Sequence, residues 1–356
     1  YERDLDVKRI AEKLHEPGVQ RVHLKGLAGS MPAIVAASVF KNSTVPHLIV
    51  LNDKEEAAYF LNDIQSILGE KDVVFFPGSY RRPYQIEETE NANVLLRAEV
   101  LNRLSSRRKP AAVVTYPDGL FEKVITRKEL SKNTFRISEN DALSPDFLNE
   151  TLNEYHFERV DFVTDPGQFS IRGGIVDVFS FSNDMPYRIE FFGDEVDSIR
   201  SFDIETQVSE KRVKSITVVP NVSDKTMVEQ RESFLHYLSK ETVIWTKSVE
   251  LAGDRLNKNF EKAEEAFAEL STAVKHRTPA ELFLNKAALR QELNDFDLVE
   301  FGQGFTFPAD EAVDFNSVPQ PAFNKNFELL AESLHKHDDQ GYENLILCAS
   351  AKQVER

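Results

Sequence analysis

The sequence is poor in cysteine, with a single residue, Cys348, in 356. That excludes an internal disulfide framework and any zinc site built on cysteine. No apolar run approaches the ~18 residues needed to cross a bilayer, and no signal-peptide pattern opens the chain. Basic residues are also short, with 43 Lys+Arg against 59 Asp+Glu and a formal net charge of −16. Such a balance argues against a surface that holds nucleic acid by bulk charge. The eight histidines show no ligand spacing. His335 and His337 come closest, but two residues apart on a helix they stand about 200° apart, and a solvated helix end is the simpler expectation. There is no internal repeat and no low-complexity tract. A soluble, reducing, cytoplasmic setting is expected. The start at Tyr1, and the stop at Arg356 just after the apolar run 345–348, read as a piece cut from something longer.

The order of elements is informative. Residues 2–16 carry Leu5, Ile10 and Leu14 among charges, as a surface helix does. A strand around Val22 and Leu24 ends at Gly26, and Pro32 to Phe40 reads as a buried helix with proline in its first turn. Strands at 47–51, 73–76 and 112–115 alternate with helices, one capped by Asn52 or Asp53 and one near 91–104. Short, nearly continuous apolar strands separated by helices predict an α/β fold with a parallel sheet covered on both faces. From about Gly119 the pattern changes. Arg188, Glu190 and Phe192 alternate with Ile189 and Phe191, and Gly193-Asp194 fits a two-residue hairpin turn. An inserted α+β part with an antiparallel sheet is expected there. Residues 227–295 return to helical spacing, and 318–321 reads as a linker.

Between the first strand and the buried helix lies Lys25-Gly26-Leu27-Ala28-Gly29-Ser30-Met31-Pro32-Ala33, the setting of a phosphate-binding loop. Aligned from Gly26, Met31 stands at the second glycine, Pro32 at the lysine and Ala33 at the Ser/Thr. Met31 puts a Cβ where backbone must approach phosphate, and Pro32 removes an ammonium and an N–H. Ala33 offers no hydroxyl to Mg²⁺. Gly26, Gly29 and Ser30 remain, either as a degenerate loop or as an ordinary glycine-containing turn. ATP hydrolysis here is not expected.

The run Arg188-Ile189-Glu190-Phe191-Phe192-Gly193-Asp194-Glu195-Val196-Asp197-Ser198-Ile199-Arg200, within 166–207, resembles the segment shared by the excinuclease component UvrB and the bacterial transcription-repair coupling factors. The likeness extends over nearly the whole chain. The degenerate loop, Thr206-Gln207 in place of Thr-Gly, and the short span between Phe76 and Val113 favour the coupling-factor family. Tyr80 and Tyr84 lie in that span, and packing is a simpler role for them than a DNA wedge. The resemblance implies a degenerate, motor-like RecA/helicase-type domain in two parts enclosing a small α+β domain. The expected division is 1–118, 119–202 and 203–317, with 318–356 a linker and the start of a third domain. It also implies that the small domain binds the excinuclease component UvrA and so recruits it to stalled RNA polymerase. Polymerase and DNA would be engaged, and ATP and Mg²⁺ used, by later domains, so this fragment would need no cofactor. A C-terminal domain of the parent protein would mask the UvrA surface. The alternative from another class is a nucleotide-dependent, UvrB-like repair helicase; a third is a scaffold that holds later domains in an autoinhibited arrangement.

Residues 151–210 contain four arginines, no lysine and 13 acids. That composition disfavours phosphate binding and matches the arginine-rich, lysine-poor character of protein interfaces. With so many acids nearby, each arginine could equally be a paired surface residue. Phe169 and Ile171 share a strand face, so Ser170 and Arg172 are expected to point outward, with Gly173-Gly174 bending the chain behind them. From the resemblance, Arg159 and Arg172 are expected to contact UvrA, with Phe179 nearby, although Phe179 fits the core as well. Arg188 and Arg200 flank the hairpin and read as structural. Arg107-Arg108-Lys109 is expected to be a solvated helix end, Cys348 a core thiol, and Asp194, Glu195 and Asp197 parts of a turn.

Overall fold

The computed structural model describes residues 1–344 except 80–83, 85–90, 106–109, 133, 182, 184, 220–229, 271–276, 320 and 325. Tyr80, Arg107-Arg108-Lys109 and Cys348 lie outside the described residues. The chain forms two compact units, Tyr1–Asn316 and Ser317–Arg356. Among the described residues no helix is long and apolar enough to cross a membrane.

The first unit opens with β1 (Arg21–Lys25), β2 (His47–Val50), β3 (Val73–Phe76) and β4 (Ala112–Thr115). Helices Met31–Lys41, Lys54–Leu68 and Asn91–Ser105 connect them. Local chemistry sets the helix ends. Pro32 sits in the first turn of one helix, where its missing N–H costs nothing. Asp53 caps the next by accepting from the Glu56 amide at 2.9 Å, and Gly69, with φ of 89°, stops it. The middle of the chain adds β5 (Val124–Ile125), β6 (Phe135–Ser138), β7 (Glu158–Arg159), β8 (Gln168–Arg172), β9 (Ile175–Val178), β10 (Tyr187–Phe192), β11 (Glu195–Phe202), β12 (Ser209–Arg212), β13 (Ser215–Val218) and β14 (Arg231–Glu232). The unit ends with β15 (Val243–Thr246), β16 (Asp297–Glu300) and β17 (Glu311–Asp314).

Seven strands form one parallel sheet in the order β17-β1-β16-β15-β2-β4-β3. This is the covered α/β sheet expected from the sequence, with one correction. The stretch 227–295 is not wholly helical, because β15 lies near the middle of the sheet, hydrogen-bonded to both β2 and β16. All four of its residues are buried. A fully buried strand has no alternation to announce it, and its four residues lie among helical surroundings.

A second, six-stranded sheet runs β12-β11-β10-β9-β8-β7. Its β10–β11 pair is antiparallel and turns through Gly193-Asp194, Phe192 lying opposite Glu195. Gly193 takes a φ of 63°, the left-handed conformation such a turn needs. The sheet takes in Ser209–Arg212, and β13 closes a ribbon with β6 across the same region. Phe169, Val176, Val178, Ile189, Val196 and Ile199 from one face join the core that also packs one side of the parallel sheet. The second unit contains the helix Phe327–Asp339, capped by Asn326. His335 and His337 lie on it, and His337 packs beside Tyr342, with ring centroids 5.6 Å apart.

Candidate functional site

The glycine-containing loop leaves β1 through Gly26 and Gly29, with φ of 64° and 56°. Ser30 precedes the helix but makes no capping bond through its side chain. The Lys25 carbonyl accepts from the Phe315 amide at 3.0 Å, drawing the turn after β17 onto the loop. A Cβ on Gly26 would lie 2.5 Å from Asp314 Oδ1 and 2.7 Å from the Asn316 nitrogen. Gly26 is therefore required by the close approach of protein backbone and a carboxylate. The Asp314 carboxylate in turn accepts from the Asn316 amide at 3.0 Å.

The carboxyl end of β16, beside the middle of β1, is also filled. Glu300, 1% exposed, accepts from the Thr306 and Phe307 amides at 2.9 and 3.1 Å. That loop brings Phe305 into a stack on His23 with centroids 3.9 Å apart. Ligands of open α/β sheets bind outside the carboxyl ends of the strands. Here that position carries a carboxylate, a phenyl ring and no lysine or hydroxyl at the motif positions, which does not fit a triphosphate. A cavity of about 270 Å³ lies instead at the amino ends of β2, β15 and β16, lined in part by His47, Val243 and Asp297.

The second sheet presents a different chemistry on the face turned from the core. Ser170, Arg172 and Asp177 share this face with Arg188, because Ser170 and Arg188 both register with Asp177. Asp177 is 1% exposed. Arg188 grips it with two bonds, Nε to Oδ1 at 2.8 Å and Nη2 to Oδ2 at 2.9 Å. This bonding holds the Arg188 pKa above its ordinary value despite the opposing effect of burial. Arg172 reaches the same carboxylate through Nη2. Its guanidinium carbon also stands 5.6 Å from the centre of the Phe162 ring, a cation–π distance. Phe162 is 61% exposed.

The structure places the expected site residues unequally. Arg172 is exposed and anchored. Ser170, expected to point outward, is buried and donates to the Asp161 carbonyl at 3.1 Å, because the segment 160–163 folds over that end of the sheet. Arg159 is exposed, and its side chain makes no hydrogen bond or ion pair among the described residues. It registers with Phe169, which goes into the core, so Arg159 and Arg172 belong to opposite faces of the sheet. Phe179 is 6% exposed and forms a small cluster with Val163 and Phe202, the core placement that its strand parity also allowed. Arg200 pairs with Glu190 at 3.4 Å.

Phe162 was not among the residues expected at this surface. Its one signal was position, three residues after Arg159 in a short apolar-acidic run. Elsewhere, Tyr84 donates to the Arg277 carbonyl at 2.9 Å and packs between Phe267 and Phe283. Burial pushes its hydroxyl up to about 12, as a packing residue requires.

Residues 135–223 match the family model described as the UvrB interaction domain, which takes in the whole polar face just described. The chain is 32% identical over 216 residues to the transcription-repair-coupling factor of Bacillus subtilis (strain 168), 60% of this chain and 18% of that protein. It is 30% identical over 184 residues to the one from Rickettsia bellii (strain RML369-C), covering 51% and 16%. For Escherichia coli (strain K12) the figures are 26% over 203 residues, covering 57% and 17%. The matches thus span less than a fifth of the length of these relatives. Residues 135–223 are thus similar to the UvrB interaction domain, and the chain is similar in sequence to bacterial transcription-repair-coupling factors.

Proposed function

We propose that this chain is a non-catalytic adaptor of transcription-coupled nucleotide excision repair that binds UvrA. The observation that carries this reading is the Arg172–Phe162 pair, an exposed aromatic ring beside a guanidinium held by a buried carboxylate. Arginine and aromatic residues in a fixed geometry are what protein interfaces concentrate as hot spots. The pair sits in a lysine-free, acidic segment that repels nucleic acid. The match to the UvrB interaction domain over the same residues supports the assignment. Arg159 contributes from the edge strand, and Phe179 acts from beneath by seating Val163 and Phe202.

In this reading residues 1–118 and 203–317 form a motor-shaped shell around the 119–202 domain, and 318–356 leads into a further domain. The shell takes no nucleotide. RNA polymerase, DNA, ATP and Mg²⁺ belong to other domains of the parent protein, one of which covers the UvrA surface at rest. The test is a calorimetric titration of the chain with purified UvrA. Saturable binding that Arg172→Ala strongly weakens supports the adaptor; binding unchanged by Arg172→Ala overturns the site. Mg²⁺-dependent ATP hydrolysis by the chain alone would replace the adaptor with the helicase reading.

A further inference from the structure

Gln207 has a φ of 57°, a left-handed conformation uncommon outside glycine. The backbone of its turn is already closed: the Gln207 amide donates to the Asp203 carbonyl at 2.8 Å, and the Asp203 amide to the Val208 carbonyl at 3.1 Å. Glycine would satisfy that backbone with less strain. What glutamine adds is a side chain whose Nε2 donates to the Val163 carbonyl at 3.1 Å and to the Ile204 carbonyl at 2.8 Å. The Gln207 carbonyl accepts from Arg188 Nη1 at 3.2 Å. One residue thus joins the 203–208 turn, the segment that bears Phe162, and the arginine that shares Asp177 with Arg172.

The backbone carbonyls on either side of Phe162 are both held from below. Ser170 donates to the Asp161 carbonyl and Gln207 to the Val163 carbonyl, while Val163 itself is fully buried. Phe162 is left as the exposed ring of a clamped segment. We infer that Gln207 is a positioning residue which clamps the Phe162 segment against the sheet, so that the Phe162–Arg172 surface is ordered before a partner arrives. This rests on the adaptor reading for the identity of the partner, but the clamp itself is a property of the free chain. Ordering a loop in advance removes part of the cost of association.

The experiment compares Gln207→Gly, Gln207→Asn and Arg172→Ala in the full chain by three readouts: amide hydrogen exchange over 160–164, thermal midpoint, and affinity for UvrA. Asparagine tolerates the left-handed backbone but is one methylene too short to span both carbonyls. Both Gln207 variants are expected to keep the wild-type thermal midpoint within a few degrees, since lost hydrogen bonds are offset by relaxed backbone. They are expected to speed exchange over 160–164 and weaken binding, each about tenfold. Wild-type exchange in Gln207→Gly overturns the clamp whatever the partner. Wild-type exchange in Gln207→Asn alone would assign the effect to backbone conformation and also overturn it. Faster exchange with wild-type affinity, while Arg172→Ala loses binding, overturns the role in binding and leaves the adaptor reading standing. Wild-type affinity in Arg172→Ala removes the partner assignment, and the exchange data alone then decide the clamp.

Discussion

Arg172 and Asp177 form an ion pair across β8 and β9 in which the acid is 1% exposed and the base 41%. The buried carboxylate is neutralised twice over, because Arg188 holds it with two further bonds. Arg172 is therefore oriented by Asp177 without being needed to satisfy it. That asymmetry underlies the first two predictions.

Arg172→Ala is expected to weaken binding of UvrA by on the order of 2–4 kcal/mol, the range of interface hot spots. The fold should survive, since Arg188 still pairs Asp177. Titration calorimetry and a urea denaturation curve on the same preparation check both halves. A lost transition in urea would mean that Arg172 supports the sheet.

Asp177→Ala should behave in the opposite manner. It leaves Arg188, whose side chain is 15% exposed, without its carboxylate. Removing one partner of a buried pair costs about 3–5 kcal/mol. Chemical denaturation should show the loss directly, and binding should fall with it as Arg172 loses its anchor.

Rebuilding the motif positions should not create a nucleotide site. The combined variant Met31→Gly, Pro32→Lys, Ala33→Thr supplies the missing groups but leaves the Asp314 carboxylate against Gly26 and Phe305 against His23. Fluorescent ATP-analogue titration is expected to show no saturable binding at millimolar concentration. Clear binding would mean that the loop had kept its phosphate geometry.

His47 is fully buried, and desolvation lowers its pKa from 6.5 to about 3. Its Nδ1 accepts from Trp245 Nε1 at 3.1 Å, so the neutral ring carries its proton on Nε2. In the unfolded chain the ring titrates near 6.5, whereas the folded chain resists protonation until about pH 3. Between those values the unfolded state binds the extra proton, so stability falls as pH falls, by up to about 1.4 kcal/mol per pH unit from this group. Denaturation curves at pH 7, 6 and 5 should show the decline, and His47→Phe should flatten it.

Much of the architecture was legible in the sequence because local rules act on adjacent residues. Apolar runs with helices between them marked β1 to β4, Asp53 and Pro32 marked helix starts, and Gly193-Asp194 marked the hairpin. The second half of the parallel sheet was harder to see. β15 is four buried residues without alternation, and it becomes a strand only because β2 and β16 stand ready on either side to pair it.

The candidate site divides along the same line. Sequence alone determined the chemistry available: a loop without lysine or hydroxyl at the motif positions, a segment with arginines but no lysine, and an acidic balance. Tertiary structure decided which of those groups are exposed and which are buried. It folded 160–163 over the sheet, which buried Ser170 and Phe179 and exposed Phe162, and it set Arg159 and Arg172 on opposite faces. It also brought Asp314 against Gly26 from the other end of the unit. The reason is physical: residue type and spacing set what a side chain can do, whereas exposure and partnership depend on strand register and on segments distant in sequence.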